Sequence, residues 1–196
     1  MKQILCRIRL PATVVGFSAL LMVIQAWYSG TNMWLWFGGL IFAALMIGYG
    51  IYLSQRGQHV WSIKTKMLAL LIGAMVIAFA TILHANLLHV DIFNHYYKQI
   101  SSAMMVYYCL LAPMIEEVIY RQIFYHEWLK NMGSNPWMGR LIVGFVFVFM
   151  HFPVGYAGWL FYTLATCGLF IAYEVSGDNV KWSIGLHMFN NILVLL

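Results

Sequence analysis

The chain has 196 residues, 63% of them hydrophobic and only 9% charged, with a formal net charge of +5. A soluble domain carries roughly 25% charge, and a soluble exterior made from so apolar a composition would be adhesive. Composition therefore excludes a soluble protein and a nucleic-acid binder, and predicts one polytopic membrane domain over residues 1–196, with the lipid bilayer as its first partner.

Hydropathy predicts an all-α transmembrane helix bundle of about seven spans, at about 10–28, 33–53, 67–89, 102–125, 137–153, 156–175 and 180–196. Met1 to Arg9 is basic and precedes an apolar run, as in a signal peptide. No small-residue cleavage site follows, and the run is long for an h-region, so it reads as an uncleaved first helix. The last three spans are short or closely spaced and are expected to tilt or to cross incompletely. Residues 1–100 carry helices without motifs. Three cysteines (Cys6, Cys109, Cys167) have no paired spacing, which argues against a disulfide framework or a thiolate metal site.

Basic residues orient the chain. With the N-terminus in the cytoplasm, Lys2, Arg7, Arg9, Arg56, Lys64, Lys66, Lys130, Arg140 and Lys181 fall inside and Lys98 outside. That asymmetry predicts a plasma-membrane protein with its N-terminus in and its C-terminus out. Trp27, Trp34, Trp36, Trp61, Trp128, Trp137 and Trp182 lie near span ends, as interface anchors do.

The fourth span carries what a membrane helix should lack. Of six acidic residues in the chain, two stand together as Glu116-Glu117, with Arg121 following. An ionisable side chain at bilayer depth costs at least ~2.5–3.5 kcal/mol, so the cluster marks the functional centre. On a helix Glu117 and Arg121 share a face and can pair. Glu116 lies about 100° round the axis and stays free to react as a general acid or base. Pro113, lacking an amide hydrogen, loosens the helix one turn earlier and makes room for water or substrate. Span five adds His151, and span seven adds His187 and Asn191, four apart on one face. A carboxylate, two imidazoles and an amide are the parts of a hydrolytic site.

Glu116-Glu117-x3-Arg121, Phe147-x3-His151 and His187-x3-Asn191, in that order and within apolar spans, resemble the signature of the CAAX protease and bacteriocin-processing (Abi) family. These are intramembrane glutamate endopeptidases related to type II CAAX prenyl endopeptidase. The resemblance covers about residues 100–196, which it makes the catalytic core. It implies that Glu116 and His151 activate a water, that His187 and Asn191 stabilise the oxyanion, and that Glu117 and Arg121 organise the site. The implied substrate is a peptide or membrane protein, including leader and bacteriocin-type peptides, and the small chain resembles bacterial members. No cofactor is expected, although Glu116, His151 and His187 are also valid zinc ligands.

Two positions depart from the family pattern. Tyr120 replaces the usual Phe before the Arg, and Gln122 replaces a frequent Gly after it, where it is expected to narrow or repolarise the cavity. From the predicted span ends, His151 lies deeper than Glu116 or His187, so convergence demands that span five start deeper or that the helices tilt. His84 and His89 read as packing or interfacial residues. His59, Asp91, His95, His126, Glu127, Glu174 and Asp178 read as solvated, and His126-Glu127 lacks the second histidine of a zincin. The competing readings are a proton-coupled transporter or a bacteriocin-immunity protein that acts by binding; a transporter should show paired half-helices or repeats, and none is visible. The sequence sets no oligomeric state.

Overall fold

The computed structural model describes residues 62–88, 105–130, 133 and 135–195. The predicted spans at about 10–28 and 33–53 lie outside these residues, as do Cys6, His59, His89, Asp91, His95 and the first four tryptophans. Five helices follow: α1 (Ile63–Leu88), a composite α2, α3 (Pro136–Phe149), α4 (Gly155–Val175) and α5 (Val180–Leu195). Among the described residues there is no strand. Helix α1 starts after Ser62, whose Oγ accepts the Thr65 amide hydrogen at 3.2 Å. Helix α3 starts at an Asn135 cap with Pro136 in the first turn, and Asn179 Oδ1 accepts the Lys181 amide hydrogen at the start of α5.

Helix α2 is continuous but not uniform. It runs as a π-turn segment (Tyr107–Leu111), an α-helical piece (Ala112–Glu117) and a second π-helical stretch (Val118–Lys130). Pro113 has no amide hydrogen to give to the preceding turn. Just before it the helix widens, with the Ala112 amide donating to Tyr107 O, five residues back. The two glutamates thus end the α-helical piece that lies between wide turns, of the kind found at functional sites. The helix also continues past the predicted end at 125 as far as Lys130.

Helix α2 forms the centre of the bundle. Ile115, Val118, Ile119, Ile123 and Tyr125 are buried against Val143 and Phe147 of α3, Leu169 and Tyr173 of α4, and Ile184 and Leu186 of α5. Helices α1 and α4 touch backbone to backbone. A Cβ at Gly168 would stand 2.9 Å from Gly73 O, and one at Gly73 would stand 2.7 Å from Leu186 Cδ2. Small residues at such crossings let membrane helices approach closely.

The outer faces are largely apolar, while Glu117 and Arg121 are fully buried. Met67, Leu71, Met75 and Phe79 of α1 and Leu141, Phe145 and Phe149 of α3 are exposed. Ile63–His84 and Gly155–Val175 are long and apolar enough to cross a membrane. Exposed apolar faces of this extent, with two such helices, suit a membrane protein. Helix α3 has 14 residues and rises about 21 Å, short of a hydrocarbon core of about 30 Å. The predicted fifth span therefore ends early, and residues 150–154 turn the chain into α4.

Four residues expected to be solvated are engaged instead. Arg140 Nε donates to Glu174 Oε1 at 2.8 Å, and the Tyr125 hydroxyl donates to the same oxygen. Lys130 Nζ donates to Asp178 Oδ2 at 2.5 Å, with His126 Nδ1 at 3.7 Å from that oxygen. Glu127 accepts from Gln122. The end of α2, the start of α3 and the end of α4 meet at one end of the bundle, so acids of one element find bases of another.

Candidate active site

Glu116, Glu117 and Arg121 project from the middle of α2, where the helix is surrounded by its neighbours. The expected pairing forms: Arg121 Nη1 donates to Glu117 Oε1 at 2.9 Å, and both side chains have no solvent exposure. The guanidinium lies 4.2 Å from the centroid of Phe147 and 5.1 Å from that of Phe170, an arrangement in which aromatic faces stabilise the cation. Burying this pair is tolerable because each charge has a partner.

Helix α5 adds His187. Its Nδ1 lies 3.0 Å from Glu117 Oε1, the oxygen that also takes the Arg121 hydrogen bond. A carboxylate paired with a guanidinium can only accept, so His187 Nδ1 carries the proton and donates. The other ring nitrogen, Nε2, then faces Glu116 Oε2 at 3.9 Å. One imidazole therefore reaches both glutamates, although the two carboxylates point in different directions from α2.

His151 arrives from the turn after α3. Its Nδ1 is 2.7 Å from Phe147 O. A carbonyl oxygen has no hydrogen to give, so Nδ1–H is the donor and Nε2 holds the lone pair. That lone pair faces Glu116 Oε2 at 3.6 Å. The separation is too long for a direct hydrogen bond. Exposure divides the site into two layers. The Glu116 and His151 side chains are 22% and 23% accessible, whereas Glu117 and Arg121 are sealed and His187 is 7% accessible.

Five of the six residues named from the sequence thus meet around Glu116. His151 nonetheless reaches Glu116, from the turn two residues beyond the end of α3. Asn191 sits one turn beyond His187 and does not touch the carboxylates: its Nδ2 donates to Tyr108 O at 2.8 Å, and its Oδ1 accepts from Asn190. Gln122 does not line the cavity as expected. It is buried, with its oxygen accepting from the Tyr173 hydroxyl and its nitrogen donating to Glu127. Tyr120 packs edge-on against Phe147 at 5.1 Å. His84 stacks obliquely on Phe161 at 5.0 Å, in keeping with a packing role. Cys109 is buried, Cys167 exposed, and both are free thiols. Among the described residues no group of three His, Cys, Asp or Glu is placed to hold a metal ion.

Residues 98–193 match the family model of type II CAAX prenyl endopeptidase Rce1-like proteins. Over this range the chain is similar to that family, consistent with membership of the CAAX protease family. It is a family of proteases, which supports a CAAX-type peptidase at the level of the family. The matched residues include Glu116, Glu117, Arg121, His151, His187 and Asn191. No curated protein and no solved structure matches the chain.

The Glu117–His187 contact has no counterpart in the sequence pattern. Residues 70 apart on different helices share no periodicity, and only the expected pairing of Glu117 with Arg121 hints that this carboxylate is fixed in place.

Proposed function

We propose that the chain is a glutamate-type intramembrane endopeptidase that hydrolyses peptide bonds in membrane-associated, leader or bacteriocin-type peptides. The observation that carries this reading is the facing pair of Glu116 Oε2 and His151 Nε2, 3.6 Å apart on partly accessible side chains, with Oε2 itself buried and without a hydrogen-bond partner. Both are acceptors, so a water donating one hydrogen to each is the natural bridge. Its oxygen is then polarised for attack on a peptide carbonyl carbon. As the C–O bond forms, the Glu116–His151 pair takes the proton, and it returns that proton to the departing amine when the C–N bond breaks.

The inner layer supports the outer one. Glu117 fixes the ring of His187, and Arg121 fixes Glu117. For His187 Nε2 to donate to the developing oxyanion, the ring must carry protons on both nitrogens. Asn191 Nδ2 uses one hydrogen on Tyr108 O and keeps another for the oxyanion. The reading includes a bundle of about seven spans with the N-terminus in the cytoplasm, in a bacterial plasma membrane, and a reaction without an obligatory metal.

The test is a comparison of peptides released by cells making wild type or Glu116→Gln at equal levels, by mass spectrometry. Peptides present only with wild type would support proteolysis and name the substrate. Identical profiles would sink the reading and favour a protein that acts by binding.

A further inference from the structure

His151 is not held by a helix. It lies beyond the end of α3, and the residue after it, Phe152, has φ 47°, a left-handed conformation that bulky side chains rarely adopt. The ring's orientation therefore rests on contacts. Two of these come from its own helix: the Phe147 carbonyl that accepts from Nδ1–H, and the Phe147 ring, 4.5 Å away and tilted by 44°. Both ride with α3, although the Phe147 ring also touches Arg121 and Tyr120 of α2 and His187 of α5. A single hydrogen bond from a partly accessible imidazole is a modest restraint.

A third contact comes from α4. The Tyr162 ring lies 4.7 Å from the imidazole centroid, tilted by 37°. The neighbouring Phe161 ring lies 5.1 Å from Tyr162 and 5.0 Å from His84 of α1. A row of rings thus runs from α1 through α4 to His151. The helices that carry the outer rings, α1 and α4, touch backbone to backbone about two to three turns away, at Gly73 and Gly168.

We propose that Tyr162 is a positioning residue for His151, its ring holding the imidazole so that Nε2 stays aimed at Glu116. The contact that carries this role is made by the aromatic ring. Without the ring the imidazole turns, the bond to Phe147 O is lost, and the proton moves between the two nitrogens as it does in free histidine. This rests on the peptidase reading for its kinetic consequence but not for its structural one.

The experiment uses the purified full chain in lipid bilayers with histidine labelled with nitrogen-15. The His151 signals are assigned by their loss in His151→Asn. Wild type and Tyr162→Phe should show His151 protonated at Nδ1, and Tyr162→Leu should show a mixture of tautomers. With a peptide substrate, Tyr162→Leu should lower kcat about 10- to 100-fold, the scale expected of a misplaced catalytic group, with KM nearly unchanged and Tyr162→Phe near wild type. If Tyr162→Leu does not fold, Tyr162→Met takes its place with the same readouts. An unchanged Nδ1–H signal in the leucine or methionine variant overturns the proposal, as does a phenylalanine variant as impaired as leucine. A wild-type protein that cleaves nothing would instead count against the peptidase reading, and the nitrogen spectra would still decide this one.

Discussion

Replacing Arg121 by methionine keeps most of the side chain's volume and removes its charge. Glu117 is fully buried, and its Oε1 takes hydrogen bonds from Arg121 at 2.9 Å and from His187 at 3.0 Å. After the substitution this carboxylate keeps one donor and loses its neutralising cation, and Phe147 and Phe170 lose the guanidinium between them. Removing one partner of a buried pair costs ~3–5 kcal/mol. That corresponds to a roughly 150- to 5,000-fold shift in the unfolding equilibrium. Adding Glu117→Gln removes the stranded charge and should recover much of the loss. The assay is unfolding of the purified protein in mixed micelles for wild type, the two single variants and the double variant. A double variant more stable than Arg121→Met is the expected result. Simple addition of the two single effects would refute the buried-pair account, because coupled residues in contact must deviate from additivity.

Other perturbations test other parts of the structure. Gly168→Ala puts a methyl 2.9 Å from Gly73 O and 3.0 Å from Ile77 Cγ1; it should cost ~1–3 kcal/mol of stability by overpacking, read in the same micelle assay. Asn191→Ala removes an amide argued to serve the oxyanion and should lower kcat by about 10²–10³ with little change in KM, measured on a peptide substrate. Glu174→Gln weakens the join between α2, α3 and α4 at Arg140 and Tyr125 and should lower thermal stability while leaving KM unchanged. Peptidase activity should survive treatment with a chelator of zinc, and metal analysis of the active protein should find less than one zinc per chain; inactivation reversed by added zinc would favour the metal-dependent alternative.

The chemistry of this chain is more legible in its sequence than its geometry is. Charges inside an apolar run are costly, so Glu116, Glu117 and Arg121 stand out from their spans by composition alone. The spacing of Glu117 and Arg121 correctly gives their pairing, since the two lie on one helix. Contacts between helices are less accessible. That His187 reaches Glu117, that Arg140 and Lys130 take Glu174 and Asp178, and that Asn191 holds a backbone carbonyl all depend on how helices cross. Hydropathy misplaces the ends of spans four and five for a related reason. It averages over a window, and so does not register that α2 continues through polar residues to Lys130 or that α3 stops at Phe149. The place of Gln122 beside Arg121 suggests a cavity residue; on a widened helix it turns to another neighbour, here Tyr173.

The central claim is that a water held between Glu116 and His151 cleaves a peptide bond. The direct measurement is cleavage of a substrate peptide by the protein in bilayers made up in water enriched with oxygen-18, with the products weighed by mass spectrometry. The account predicts one heavy oxygen in the new C-terminal carboxylate, and no product from Glu116→Gln or His151→Asn. Cleavage that persists in Glu116→Gln, or a product without the heavy oxygen, would contradict it.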